Sequence, residues 1–171
     1  KNNSGIDYIY SKQEIELLTK LNNELIECGY PELRFHELSR LDDLKDFEQG
    51  WSFSEVMDAN NLVDGYAKYI LENNFSPFEA MLYIPKVASK MIYSSSKKEY
   101  ETGRVLPSLV ATKEIVCSGY ASFIKAIIDK INIEGLSCEL QGCGFIDGLH
   151  AVIGAHCHNI IHIDDPKYDI S

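Results

Sequence analysis

The chain has 171 residues, five cysteines and a formal net charge of −10. At this length a chain buries about 70% of its unfolded surface, and its 45% hydrophobic and 25% charged residues make a globular mix, which excludes a disordered or disulfide-dependent scaffold. The acid excess argues against nucleic acid and against a polybasic membrane anchor, both of which need positive potential, and no apolar run approaches the roughly 20 residues of a membrane span.

Ser11-Lys-Gln-Glu14 is a capping box that starts a helix. Ile15, Leu18, Leu21, Leu25 and Ile26 continue it as a core stripe, and Gly29 ends it. Leu38, Leu41, Leu44 and Phe47 form a second, short stripe before Gly50. Ser54 starts a third helix, with Met57, Val63, Tyr66, Ala67, Ile70 and Leu71 inward. Ser76-Pro-Phe-Glu79 is another capping box, with Pro77 at the first helical position, where its missing N–H costs nothing. Pro85 kinks or ends that helix. Residues 94–104 are polar and read as a surface loop.

Cys117 to Asn132 is the strongest helix. Tyr120, Phe123, Ile124, Ile127, Ile128 and Ile131 give it a wide apolar face, so it is expected at the centre of the core. The period then falls towards two, and Ser137–Gly142, His150–Cys157 and Ile160–Asp164 read as strands. Helices followed by antiparallel strands give an α+β architecture. The division expected is a helical N-terminal region over 1–75 and a core over 76–171, together one compact unit.

The five cysteines are irregularly spaced, with no CxxC pair. They read as free thiols, which slightly favours a reducing compartment. Because the sequence begins at Lys1, a removed signal peptide leaves secretion open. One of the five stands apart. Cys117 falls in the first turn of the central helix, at the positive end of its dipole, which favours a thiolate by about 0.3–1 kcal/mol. Buried as an ordinary small hydrophobe, it would need no such role. A thiol nucleophile also needs a base, and the base an orienting acceptor. His150 and the Asp164-Asp165-Pro166 segment follow on the predicted strands.

These residues carry a resemblance. Val116-Cys-Ser-Gly-Tyr-Ala121 is similar to the nucleophile motif of the transglutaminase-like superfamily, His150-Ala151 to its HA(W) motif, and Ile161-His-Ile-Asp-Asp-Pro-Lys-Tyr-Asp169 to its aspartate segment. Ser108-Leu-Val-Ala-Thr-Lys113 resembles the short helix that leads into the family's cysteine. The likeness covers about residues 76–171. It implies a papain-like core, with the cysteine helix packed on an antiparallel sheet. It implies a triad of Cys117 as nucleophile, His150 as general base and Asp165 as orienting residue. It also implies acyl transfer or hydrolysis at an amide of a peptide or protein, through a thioester. No nucleotide or metal motif stands out in the sequence, so no cofactor and no metal are expected. Val152 replaces the family's Trp after His-Ala, and Lys167-Tyr168 its Thr-Trp. The missing aromatics favour an alternative, a catalytically silent relative serving as a protein-interaction module. Ser171 also follows soon after the aspartate, where the family continues, so the sequence reads as a fragment.

Two further expectations concern the strands. A two-residue turn at His158-Asn159 would pair Cys157 with Ile160 and bring Asp165, not Asp164, to the His150 face. His156, Cys157, His158, His162 and Asp164 are dense enough to suggest zinc. The same turn would leave only Cys157 and His162 on one face, two ligands, so metal binding is not expected.

Overall fold

Serine followed three residues later by glutamate starts each of the first three helices. Helix α1 (Lys12–Glu27) begins at Ser11, whose hydroxyl accepts from the Glu14 amide while the Glu14 carboxylate accepts from the Ser11 amide. Helix α2 (Phe53–Glu72) begins in the same way at Ser52 with Glu55. The expected start at Ser54 is thus two residues late, because only Ser52 has an acid at the third helical position; Ser54 has Met57 there. Helix α3 (Pro77–Ala88) begins at Ser76 with Glu79 and runs three residues beyond Pro85. Helix α4 (Cys117–Ile131) has Val116 at its cap position and no side-chain cap.

The structure, a computed structural model, describes residues 9–35, 51–93, 107, 109–110, 114–146 and 152–170, with the backbone alone at 114, 143–146 and 152–155. The expected stripe at 38–47 and the polar stretch at 94–104 lie outside the described residues, as does His150.

Among the described residues three small sheets accompany the helices. Strands β1 (Arg34–Phe35) and β2 (Trp51–Ser52) pair antiparallel, and β3 (Ile92–Tyr93) and β4 (Glu114–Ile115) pair parallel. Strands β5 (Leu136–Ile146) and β6 (Val152–Ile163) form a long antiparallel hairpin, from Leu136↔Ile163 to Ile146↔Val152, with a register shift at the last pair. The chain is therefore α+β. Two strands stand where three were expected, and there is no turn at His158-Asn159. Asn159 is held within β6, since its Nδ2 donates to the Ala121 carbonyl (2.9 Å) and the Cys138 sulfur (3.1 Å). A residue type that often makes turns here joins sheet to helix.

Helix α4 is the centre, as its wide apolar face requires. Phe123, Ile127 and Ile128 are fully buried, packed with Val63, Ala67 and Ile70 of α2, Ala80 and Ile84 of α3, and Leu136 and Cys138 of β5. Tyr66 meets Phe123 edge to face at 5.9 Å. Helix α2 lies in the same core cluster as α4. The α1 stripe differs from expectation. Leu21 and Ile26 are exposed, and the residue α1 buries is Asn22, whose Oδ1 accepts from the Leu33 amide.

Gly135 closes the turn from α4 into β5 at φ +82, a left-handed conformation that suits glycine. A Cβ there would run into the Asp164 carbonyl, and the Asp164 amide donates to the Gly135 carbonyl (2.7 Å). This contact fixes the end of β6, and Asp165 with it, beside the C-terminal end of α4.

Candidate functional site

Cys117 is the first residue of α4 and is half-buried, whereas Val116 and Ile115 before it are fully buried. The first-turn amides of a helix have no intrahelical acceptor. At α1, α2 and α3 a serine hydroxyl and a glutamate carboxylate serve that end. At α4 the cap is a valine, which has no acceptor to offer. A half-buried thiol thus stands among amides that its own cap leaves unserved, an arrangement suited to an incoming carbonyl oxygen or oxyanion.

The hairpin can be levelled against α4 by two hydrogen bonds. Asn159 donates to the Ala121 carbonyl, and Lys125 donates to the carbonyl of Cys138, which pairs with Ile161. From Ala121 back to Cys117 is about 6 Å of helix. From Asn159 back to Cys157 is about 6.7 Å of strand. The Gly142–Cys157 pair therefore comes level with Cys117. Cys157 shares the inner face with Asn159, Ile161 and Ile163.

His156, His158 and His162 fall on the opposite, outer face. His156 and His158 stack at 6.0 Å, and His162 lies 3.9 Å from Glu139. The expected pairing of Cys157 with His162 on one face is corrected, because β6 runs straight through and alternation separates them. Among the described residues no group of three His, Cys, Asp or Glu side chains could hold a metal. His150 and His36 lie outside the described residues.

Asp165 is almost fully buried at 1% exposure. Its Oδ2 accepts from the Phe78 amide (2.9 Å) in the first turn of α3, and its Oδ1 from the Lys167 amide (3.0 Å). Its backbone bridges to Ile170. Burial works against its charge, but the Ser76 hydroxyl and the Phe78 and Lys167 amides outweigh it and hold the carboxyl below its ordinary value. Glu79 beside it accepts from Lys167 Nζ (2.7 Å) and the Tyr168 hydroxyl (2.7 Å). The Lys167 ammonium, the Ser76 amide and the Tyr168 hydroxyl hold Glu79 down to about 2.

The structure does not bring Cys117 and Asp165 together. One is at the N-terminal end of α4 and the other beside its C-terminal end, and 15 residues of helix separate them, about 20 Å. Along β6 and the two residues after it, the eight steps from Cys157 to Asp165 cover up to about 26 Å. The turn argument for Asp165 over Asp164 also lapses, since its premise, the His158-Asn159 turn, is absent. Asp165 anchors α3 and the end of β6. An open groove of about 530 Å³ lies at that end too, lined by Phe75, Glu79, Tyr83, Lys86 and Lys167 among others, and not beside the thiol.

The sequence reading missed the aromatic flank of Cys117. Tyr93 pairs with Ile115, two residues before the thiol, and its ring stacks on that of Tyr120, three residues after it (6.2 Å, 11°). The i, i+3 spacing of Cys117 and Tyr120 was the available signal; the partner, Tyr93, is brought in by a strand pair too short to show a period.

No protein-family model matches the chain, and no curated protein or solved structure is significantly similar to it. Among the described residues no helix is long and apolar enough to cross a membrane.

Proposed function

We propose that the chain carries out cysteine-dependent acyl transfer or hydrolysis at an amide of a peptide or protein, through a thioester on Cys117. The observation that supports this most is the start of α4: a half-buried thiol at the first position of the most buried helix, where Ser and Glu caps are replaced by Val116. The resemblance of Val116–Ala121 to the transglutaminase-like nucleophile motif points the same way.

In this reading the Cys117 sulfur attacks the carbonyl carbon, and first-turn amides receive the developing oxyanion. An imidazole protonates the departing amine; the sequence order assigns His150 to that task. Water or a second amine then resolves the thioester, returning the sulfur. Asp165 is left out of this proposal, because its carboxylate serves α3 at the far end of α4.

A second reading, a catalytically silent interaction module, is favoured by that same placement of Asp165. An activated ester separates the two. With p-nitrophenyl acetate, the acyl-transfer reading expects a burst of nitrophenol and an acetyl group mapped to Cys117, both lost in Cys117→Ala. Acylation of Cys117 no faster than that of exposed Cys28 would favour the silent module.

A further inference from the structure

The groove at the Asp165 end of the core is built on one face of α3. Glu79, Leu82, Tyr83 and Lys86 follow at i, i+3, i+4 and i+7, so they share one side of that helix over about 10 Å. Phe75, from the turn between α2 and α3, and Lys167, from the turn after β6, complete the walls. The rings hold one another in place. Tyr83 stacks on Tyr69 (5.3 Å, 26°) and meets Phe75 edge to face (5.4 Å, 87°). Burial, with Tyr69 and Tyr66 nearby, pushes the Tyr83 phenol above its ordinary value, so it is neutral and able to donate at pH 7. Leu82 beside it is 55% exposed. The two cations of the groove differ. Lys167 is engaged by Glu79 (2.7 Å), whose carboxylate also accepts from the Ser76 amide and the Tyr168 hydroxyl. Lys86 has no ion pair among the described residues, whereas Lys68, Lys125, Lys130 and Lys167 each have one. Its place in the last turn of α3 suits the helix dipole and leaves its ammonium hydrogens to a ligand. The groove thus carries one unopposed positive charge on a chain of net −10.

We propose that this groove binds a monocarboxylate with an aromatic or large apolar body. The carboxylate would pair with Lys86 Nζ, and the body would lie along Leu82 and Tyr83. A groove of about 530 Å³ has the size for such a ligand. A cation would meet Lys86 and find no free carboxylate, since Glu79 is committed to Lys167. A polyanion is opposed by the charge of the whole chain. The groove stands at the opposite end of α4 from Cys117, so the proposal does not depend on the reading of that thiol. A free acid and the C-terminal residue of a peptide share this chemistry.

The native chain with ring-labelled tyrosine, followed by NMR, tests the groove with hydrocinnamate and with the alcohol and amine of the same carbon skeleton. The acid should shift the Tyr83 and Tyr69 signals saturably. It should bind about fivefold more tightly than the alcohol, the contribution of one exposed ion pair. The amine should bind more weakly than the alcohol. Lys86→Gln should remove the preference for the acid, and Lys90→Gln, outside the groove, should keep it. Both lysines are exposed, so both variants should keep the native thermal midpoint. Leu82→Ala should weaken acid and alcohol alike. Gly-Gly-Phe with a free carboxylate sorts the source: tighter binding than hydrocinnamate supports a peptide terminus, and weaker binding supports a free acid. No saturable shift with the acid, equal binding of acid and alcohol, a preference that survives Lys86→Gln, or shifts at Tyr93 and Tyr120 instead would overturn the site.

Discussion

At the N-terminus of α3 the chain itself supplies the acceptors. Ser76 and Glu79 form a capping box, and Asp165 arrives from 87 residues away to accept from the Phe78 amide. At the N-terminus of α4 the cap is Val116, and the first residue is a half-buried cysteine. A carboxylate at a helix start neutralises the dipole and closes the site. A valine supplies no side-chain acceptor to the same amides. On the reading proposed above, one helix start serves stability and the other chemistry, and substitutions should separate them.

The largest effect should come from the open end. Cys117→Ala should lower the burst and turnover with p-nitrophenyl acetate by about 10³-fold or more. The thermal midpoint should hardly move, because the thiol is half exposed. A large drop in the midpoint would mean that Cys117 is a packing residue after all.

The closed end should behave in the opposite way. Gly135→Ala forces a Cβ into the Asp164 carbonyl and strains a left-handed residue. It should lower the thermal midpoint by several degrees, through loss of the turn that fixes Asp165. Alkylation of Cys117 in the folded protein should stay at its original rate.

Acid should also act on the closed end. Glu79 is held down to about 2 from an ordinary 4.5, and Asp165 is lowered in the same direction. Carboxyls with depressed values contribute stability that is complete above the unfolded value and is lost as pH falls through the folded one. Thermal melts should therefore drop between about pH 4.5 and 2, and Glu79→Gln should flatten that drop. A wild-type midpoint independent of pH over this window would contradict the network.

The smallest effect is expected away from both ends. Ser11→Ala removes the α1 capping box and should cost about 1 kcal/mol. Since α1 buries only Asn22, the loss should show first as faster hydrogen exchange in α1.

The helices were legible in the sequence because each signal is local. Ser11 with Glu14, Ser76 with Glu79 and the isoleucine run of α4 lie within a few residues of each other. The start expected at Ser54 lies two residues late, because Ser52 and not Ser54 has an acid at the third helical position. The site was legible only in part. Cys117 at a helix start is a local pattern, but the position of Asp165 depends on β6 running straight through His158-Asn159. That continuity rests on Asn159 reaching Ala121 and Cys138, contacts 38 and 21 residues away. Turn propensity could not anticipate them. Tyr93 beside Tyr120 likewise depends on a parallel pair of two residues each.

The most direct test of the division between the two ends is the alkylation rate of Cys117 relative to exposed Cys28, measured in the native chain and in Asp165→Asn. The account predicts that Cys117 reacts faster than Cys28 in both, with the Asp165→Asn chain less heat-stable but equally reactive at Cys117. A Cys117 no faster than Cys28, or a fully folded Asp165→Asn chain in which Cys117 alone slows by orders of magnitude, would contradict it.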